Sequence, residues 1–351
     1  MAPIRNARTY YAATPTEHIE PGVHVKYDDS CIIDLDTVKL NGGFLVKTLC
    51  LGIDPSMRMR MHGGRMLDPK IQAYVPAYEL NQPLIGYGVG KVIRSEDDSY
   101  KPGDFLHGWL YHEEYSVYHG PLTAVIPFRK IEGIGLPWSV YVSVLGMPGQ
   151  TAFWGWKEYS QAKAGETVFV SSAAGTVGSL IIQLAKRDGL RVIASSGSDE
   201  KAAYATECGA DVSFNYKKEK VWDVLAREQQ GVDVYFDNVG GEHLDAALLN
   251  ANKFARFIEC GMASLYNSEP YNVQNLGLII GKAINVHGLL HHALYPQHED
   301  EFYATVPQLV KEGAFKHRED ISQGLDTVGQ ALHDVGSGKN FGKRVVIVAK
   351  D

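Results

Sequence analysis

Cysteine is scarce in this sequence, with four in 351 residues, at Cys31, Cys50, Cys208 and Cys260. Thiols so few and so widely spaced build no disulfide framework and suit a reducing compartment, so a cytoplasmic protein is expected. There is no Cys-x-x-Cys pair and no His-Glu-x-x-His, which removes the common zinc patterns, and no metal is expected. His112-Glu113-Glu114 has the wrong spacing to share a helical face. His291 and His292 point in different directions on any regular element, so that pair reads as a surface or loop feature. A Gly-x-Ser-x-Gly elbow is missing as well, and with it the simplest hydrolase reading. Long apolar runs are also absent. The longest candidate, 276–290, is broken by Lys282, Asn285 and His287 and falls short of a membrane span. The first residues, Met-Ala-Pro-Ile-Arg-Asn-Ala-Arg, hold no apolar core of signal-peptide type. Positive charge is in deficit, 34 Lys and Arg against 41 Asp and Glu for a formal net charge of −7, which argues against a nucleic-acid partner.

What is present is an ordinary globular composition, 45% hydrophobic and 21% charged, on a chain long enough for two domains. Residues 1–130 read as β-rich and irregular. Short apolar runs at 43–50, 85–93 and 115–118 sit between turn signals such as Pro102-Gly103-Asp104. Residues 143–156 predict a helix, a break at Met147-Pro148-Gly149, and a second helix. From Glu166 strands and helices alternate. Strands are expected at 167–173, 191–195, 211–214, 233–237, 254–260 and 283–288. Helices are expected between them, with another at 299–311. This βαβαβ series implies an α/β fold with a doubly wound parallel sheet. The apolar tail at 343–350 comes too late for that series and is placed back on the first domain. The expected division is therefore 1–130 with 315–351 returning to it, and 131–314.

The chain is organised around Val168-Phe-Val-Ser-Ser-Ala-Ala-Gly-Thr-Val-Gly178, a buried strand running into a glycine turn and then a helix. This is the layout of the first turn of a dinucleotide-binding fold, with Ala173 in place of the usual first glycine. Gly175 leaves no Cβ where a pyrophosphate approaches, and Gly178 lets helix and strand pack closely. The N–H groups of Thr176, Val177 and Gly178 face the phosphates at the positive end of the helix dipole. A purely structural turn is the plain alternative. The end of the second strand reads Ser195-Ser196-Gly197-Ser198, without the carboxylate that would bind a ribose 2′-hydroxyl. Small hydroxyl residues there leave room for a 2′-phosphate, with Lys201 as the counter-charge, although a solvated helix lysine explains it equally well. Asp199 lies where a helix's first-turn acid belongs. Beyond the fifth strand, Tyr266 is placed to donate a hydrogen bond or proton to a hydride acceptor, against the alternative of a tyrosine packing its loop.

Several stretches together resemble one family. They are Asp54-Pro-Ser-Met-Arg58, Gly86-Tyr-Gly88, Glu113-Glu-Tyr-Ser-Val117, Gly146-Met-Pro-Gly149, Ala173-Ala-Gly-Thr-Val-Gly178, Gly197-Ser-Asp-Glu-Lys201, Phe214-Asn-Tyr-Lys217, Phe236-Asp-Asn-Val-Gly-Gly241, Cys260-Gly-Met-Ala-Ser-Leu-Tyr-Asn267 and Gly338-Lys-Asn-Phe-Gly-Lys343. In this order they resemble the zinc-independent medium-chain dehydrogenase/reductases, in the branch of leukotriene B4 12-hydroxydehydrogenase/prostaglandin reductases and plant NADPH-dependent 2-alkenal double-bond reductases. Tyr87 and Glu113-Glu114-Tyr115 lean toward the latter. The resemblance implies NADPH, a GroES-like first domain, a Rossmann second domain, a substrate cleft between domains, and commonly a homodimer. By position it implies Gly175, Thr176, Val177 and Gly178 at the pyrophosphate, and Lys201 and Tyr216 at the 2′-phosphate. It puts Asn238 along the cofactor groove, and Cys260, Gly261, Tyr266, Leu289 and Asn340 by the nicotinamide half. Ser56, Tyr87, Tyr266 and Leu289 would meet substrate. Two departures stand out. Ser56 replaces a usual tyrosine, which widens the pocket, and 289–296 reads Leu-Leu-His-His-Ala-Leu-Tyr-Pro rather than the usual Phe-Val-Val. The expected activity is NADPH-dependent reduction of the C=C bond of α,β-unsaturated aldehydes or ketones, with Tyr266 as the catalytic group. Quinone reduction, oxidation of a secondary alcohol on a lipid-like substrate, and a non-enzymatic NADPH-binding role are the alternatives.

Overall fold

A computed structural model describes residues 2–61, 76–119 and 128–351. The chain divides into two compact units, Met1–Gly146 with Glu319–Asp351, and Met147–Arg318. These boundaries differ from the breaks expected near 130 and 314.

In the first unit the strands are β1 (Ile4–Arg5), β2 (Arg8–Tyr11), β3 (Val25–Asp28), β4 (Ile32–Ile33), β5 (Phe44–Ile53), β6 (Ile85–Ser95), β7 (Phe105–Tyr111), β8 (Tyr115–Tyr118) and β9 (Arg129–Ile131). The second unit contributes β10 (Thr167–Val170), β11 (Arg191–Ser196), β12 (Val212–Asn215), β13 (Val232–Asp237), β14 (Ala251–Glu259) and β15 (Asn285–Gly288). β16 (Glu319–Gln323) and β17 (Lys343–Ile347) return to the first unit.

The first unit's main sheet runs β16-β17-β5-β6-β7-β9, with β8 also on β5. All its pairings are antiparallel except β16 with β17. β17 pairs with β5 from Arg344 opposite Ile53 to Ile347 opposite Cys50, so the late apolar strand does join the first unit. Its core gathers Phe44, Val46, Leu51, Leu106, Leu110, Tyr118 and Val346. Phe44 packs its ring against Tyr100 at 4.4 Å and Phe128 at 5.6 Å. Burying aromatic side chains of this size contributes about 1.5–3 kcal/mol each.

The second unit's six strands are all parallel, in the order β12-β11-β10-β13-β14-β15. The order reverses between β10 and β13, and such a switch point opens a ligand crevice beyond the carboxyl ends of the strands. β10 is buried throughout and β11 at every residue but Arg191, because both faces are covered. Helix Thr176–Arg187 covers one face with Leu180, Ile181, Ile182 and Ala185.

Several element boundaries differ from the sequence expectation, most by one to three residues, and three of them bear on the site. β10 ends at Val170 rather than 173, because Ser172 takes a left-handed φ of 51° and turns the chain. Met147-Pro148-Gly149 is the start of helix Met147–Tyr159 rather than a break, and only a 3-10 turn, Trp138–Val142, precedes it. The late helix runs Tyr295–Lys311, opened by a proline in its first turn. Among the described residues no helix is long and apolar enough to cross a membrane.

Candidate active site

The turn at 171–175 connects β10 to helix Thr176–Arg187. Gly175 caps that helix in an extended conformation, with no side chain supplying the cap and no acid in the first turn. The N–H groups of Thr176, Val177 and Gly178 thus have no acceptor within the helix, as at any helix start, and they suit an anion. A Cβ on Gly178 would stand 2.6 Å from the Ser172 carbonyl oxygen and 2.7 Å from Ala173 Cα, so only glycine lets the helix sit this close. At Gly175 a Cβ would stand 3.3 Å from the Ser172 carbonyl oxygen.

Ser171 ties this turn to the end of β13. Its hydroxyl donates to Asp237 Oδ1 at 3.0 Å and accepts from the Asn238 N–H at 2.8 Å. Asn238 Nδ2 donates back to the Ser171 carbonyl at 2.8 Å. Asp237 Oδ1 also accepts the N–H groups of Val239 and Gly240, each at 2.8 Å. The Asp237 carbonyl accepts from Cys260 at 2.9 Å and Gly261 at 3.0 Å. The Ser264 hydroxyl donates to the Val239 carbonyl at 2.6 Å. Gly240 has φ of 70°, and a Cβ there would overlap Met262 Sδ. The structure therefore brings Gly175, Asn238, Cys260 and Gly261 into one bonded set of loops at the switch point. Tyr266 ends the 3-10 turn Ala263–Leu265 in the same loop, half-buried, with its N–H on the Ala263 carbonyl at 3.4 Å. Burial, with Asp237 and Glu259 nearby, pushes the Cys260 thiol up to about 12, so it is no thiolate nucleophile.

Leu289 donates its N–H to the Glu259 carbonyl at 3.0 Å, and its side chain packs against Gly155. His291 lies flat on Trp154 at 4.7 Å and meets Gln150 Oε1 through Nε2 at 3.0 Å. It packs within the loop beyond β15, while His292 beside it in the same 3-10 turn is exposed, as the surface-or-loop reading of the pair expects.

Beyond the carboxyl end of β11, the neighbour of β10, Ser198 caps helix Asp199–Glu207, its hydroxyl accepting the Lys201 N–H at 3.2 Å. Asp199 is the first residue of that helix. Its carboxylate is taken by Asn215 Nδ2 at 2.8 Å and by the Lys218 ammonium, and these bonds hold its pKa below the usual range. Tyr216 donates its N–H to the Ser196 carbonyl at 3.1 Å, its ring flanks Gly197, and it meets His243 edge-on at 5.2 Å. The Ser195 and Ser196 hydroxyls are buried without hydrogen-bond partners.

Three expected site residues belong to the first unit. Ser56 opens the short helix Ser56–Met59 and is half-buried. Tyr87 on β6 stacks on His107 at 5.6 Å and meets Trp109 edge-on at 6.2 Å. Asn340 precedes β17 and donates through Nδ2 to the Gly342 carbonyl at 2.8 Å. Nearby, the buried Lys343 ammonium pairs with buried Asp54 and donates to the Ile53 carbonyl at 3.1 Å.

Sequence reasoning passed over Ser171, Asp237, Glu259 and the Asp54–Lys343 pair. The signal for the acids was there: two carboxylates, Asp237 and Glu259, each close a strand directly after buried apolar residues, Tyr235-Phe236 and Phe257-Ile258.

Comparison with known proteins agrees with this architecture. A family model described as zinc-binding dehydrogenase matches residues 176–311, and one described as N-terminal domain of oxidoreductase matches 33–126. A zinc-type alcohol dehydrogenase-like protein of Schizosaccharomyces pombe is 40% identical over 88% of this chain and 87% of its own length. A 2-alkenal reductase (NADP(+)-dependent) of Nicotiana tabacum is 40% identical over 88% of both chains. The chain is a medium-chain dehydrogenase/reductase. The crystal structure of CurA in complex with NADPH from Vibrio vulnificus matches this medium-chain dehydrogenase/reductase with a TM-score of 0.86 and 28% identity, over 98% of this chain and 100% of that one. The family description speaks of zinc. Among the described residues no group of three or more His, Cys, Asp or Glu side chains could hold a metal ion, so the donor set that zinc requires is not assembled there.

Proposed function

We propose that this medium-chain dehydrogenase/reductase reduces the C=C bond of α,β-unsaturated aldehydes and ketones with NADPH. The coarser statement, an NADP-dependent oxidoreductase, rests on the family and on relatives such as the tobacco enzyme. The observation that carries the cofactor choice is the end of β11. Four small residues, Ser195 to Ser198, stand where a 2′-hydroxyl reader would place its carboxylate, and the neighbouring Asp199 is already engaged by Asn215 and Lys218.

In this reading the N–H groups of Thr176, Val177 and Gly178 hold the pyrophosphate, with Gly175 giving it room. Lys201 and Tyr216 hold the 2′-phosphate. Asn238, Cys260, Gly261, Leu289 and Asn340 flank the nicotinamide half. NADPH, when bound, supplies the hydride for the β-carbon. As negative charge then develops on the carbonyl oxygen, the Tyr266 hydroxyl donates a hydrogen bond to it, the role a metal would otherwise play, and solvent supplies the proton that the α-carbon takes. Ser56, Tyr87 and Leu289 are proposed as substrate contacts. The test is NADPH consumption with a panel of enals, enones and quinones beside an NADH control. A saturated carbonyl product supports the reading; reduced quinone alone, or silence with NADPH bound, overturns it.

We further propose a homodimer joined at β15. This strand closes the edge of the six-stranded sheet, and Leu276, Ile280 and Val286 are exposed around it. A monomeric mass in light scattering would defeat that arrangement.

A further inference from the structure

β13 and β14 are parallel neighbours, and their register sets Asp237 opposite Glu259. Asp237 is fully buried and neither Glu259 oxygen reaches solvent. Two carboxylates in such a place cannot both ionise without an offsetting cation. The groups that face them are Ser171 after β10, Tyr235 on β13 and Cys260 after β14. Gly288, opposite Glu259 on β15, carries no side chain, and His287 alternates to the other face, where it stacks on Tyr159. From helix Gly241–Asn250, His243 lies on Phe169, which in turn stacks on Tyr235, and burial pushes that imidazole down to about 4, so it is neutral. Among the described residues neither acid makes an ion pair.

Hydrogen bonds divide the pair unequally. Asp237 Oδ1 receives three donors, from Ser171, Val239 and Gly240, while Asp237 Oδ2 and both Glu259 oxygens receive none. Donors stabilise the ionised form, so the charge settles on Asp237 and the proton on Glu259. We propose that Glu259 is a neutral acid whose proton bridges to Asp237 Oδ2, making it a positioning residue that keeps Asp237 as the anion bracing the 238–241 turn. Removal of that proton sets two charges against each other beneath a turn that carries Asn238 and whose carbonyls hold the 260–264 loop. This deepens the proposed function and rests on it, because the braced turn is the one assigned to NADPH.

The direction of the Glu259 titration agrees. Burial, with Asp237 adding to it, pushes Glu259 up to about 9. A carboxyl raised in the folded state keeps a proton that the unfolded chain has already lost. Its contribution to stability therefore falls as pH rises from the ordinary carboxylate range toward about 9, and is level above that.

The experiment uses the full chain as wild type, Glu259→Gln and Tyr235→Phe. Two quantities are read against pH: the carboxylic-acid carbonyl stretch in infrared spectra and the NADPH dissociation constant. The acid band is expected at neutral pH in wild type and Tyr235→Phe, and its Glu259 component is expected to vanish in Glu259→Gln. In wild type the band fades and NADPH binding weakens on the order of tenfold at alkaline pH, whereas Glu259→Gln, which keeps a donor, stays flat. An unchanged acid band in Glu259→Gln overturns the proposal. So does an alkaline weakening that survives in Glu259→Gln, or one abolished in Tyr235→Phe instead. Fading of the wild-type band with pH needs no variant to fold. If enones are not reduced while band and NADPH profile behave as described, the substrate reading fails and the acid pair stands.

Discussion

Each unit buries a carboxylate at a strand end, and each neutralises it differently. In the first unit Asp54 follows β5 and meets the Lys343 ammonium, a partner 289 residues away in sequence. In the second unit Asp237 ends β13 and meets another acid on the adjacent strand, with a hydroxyl and two backbone N–H groups sharing the load. The ion pair clips the tail to the sheet that β17 joins. The acid pair fixes no distant segment; it shapes a turn. A charge offset by a cation is lost as a unit when either partner goes. A charge offset by N–H groups and a shared proton depends on pH instead.

The largest expected effect falls on the ion pair. Lys343→Met leaves Asp54 buried and unpaired and should cost ~3–5 kcal/mol in denaturant or thermal unfolding. The double variant Asp54→Leu/Lys343→Met removes both charges and should regain most of that loss. Glu259→Gln should instead be tolerated and gain stability relative to wild type as pH rises toward 9. Equal losses for Lys343→Met and Glu259→Gln at neutral pH would erase the distinction between the two sites.

Next comes Tyr266→Phe, which keeps the ring and removes the donor. Turnover should fall on the order of 100-fold while the NADPH dissociation constant holds. An unaltered rate would take Tyr266 out of the chemistry and return it to loop packing. Lys201→Ala follows, with NADPH binding weakened about tenfold and NADH binding unaffected. A matching loss for both cofactors would place Lys201 away from the 2′-phosphate.

The contrast between units also marks how far the sequence could be read. The alternation of β10 to β15 with helices was legible, because buried parallel strands are continuous apolar runs closed by turn residues. Gly178 was legible because a glycine three residues into a helix needs a packing reason, and Ser172 O supplies it. The end of β10 was not, since nothing marks Ser172 as left-handed until the turn around it is built. Lys343 gave no sign of being buried, as its partner lies at the other end of the chain. Asp237 and Glu259 were visible as acids following buried apolar residues at strand ends, but only the strand register shows that they face each other.

The smallest expected effect tests the departure from the family at residue 56. Ser56 sits half-buried at the start of a four-residue helix whose other residues, Met57, Arg58 and Met59, are buried. Ser56 is the least buried of the four, so an aromatic there is expected to be accommodated with little repacking. Ser56→Tyr should therefore leave the melting temperature within a degree or two and alter selectivity among enones. Short enals should gain a few-fold in kcat/KM from the added apolar wall, and bulky cyclic enones should lose by a similar factor, each worth ~1 kcal/mol. Rates for both classes moving together would mean that residue 56 touches no substrate. The width of the pocket would then have to be read from Leu289, whose N–H is fixed on Glu259 and whose side chain is seated against Gly155.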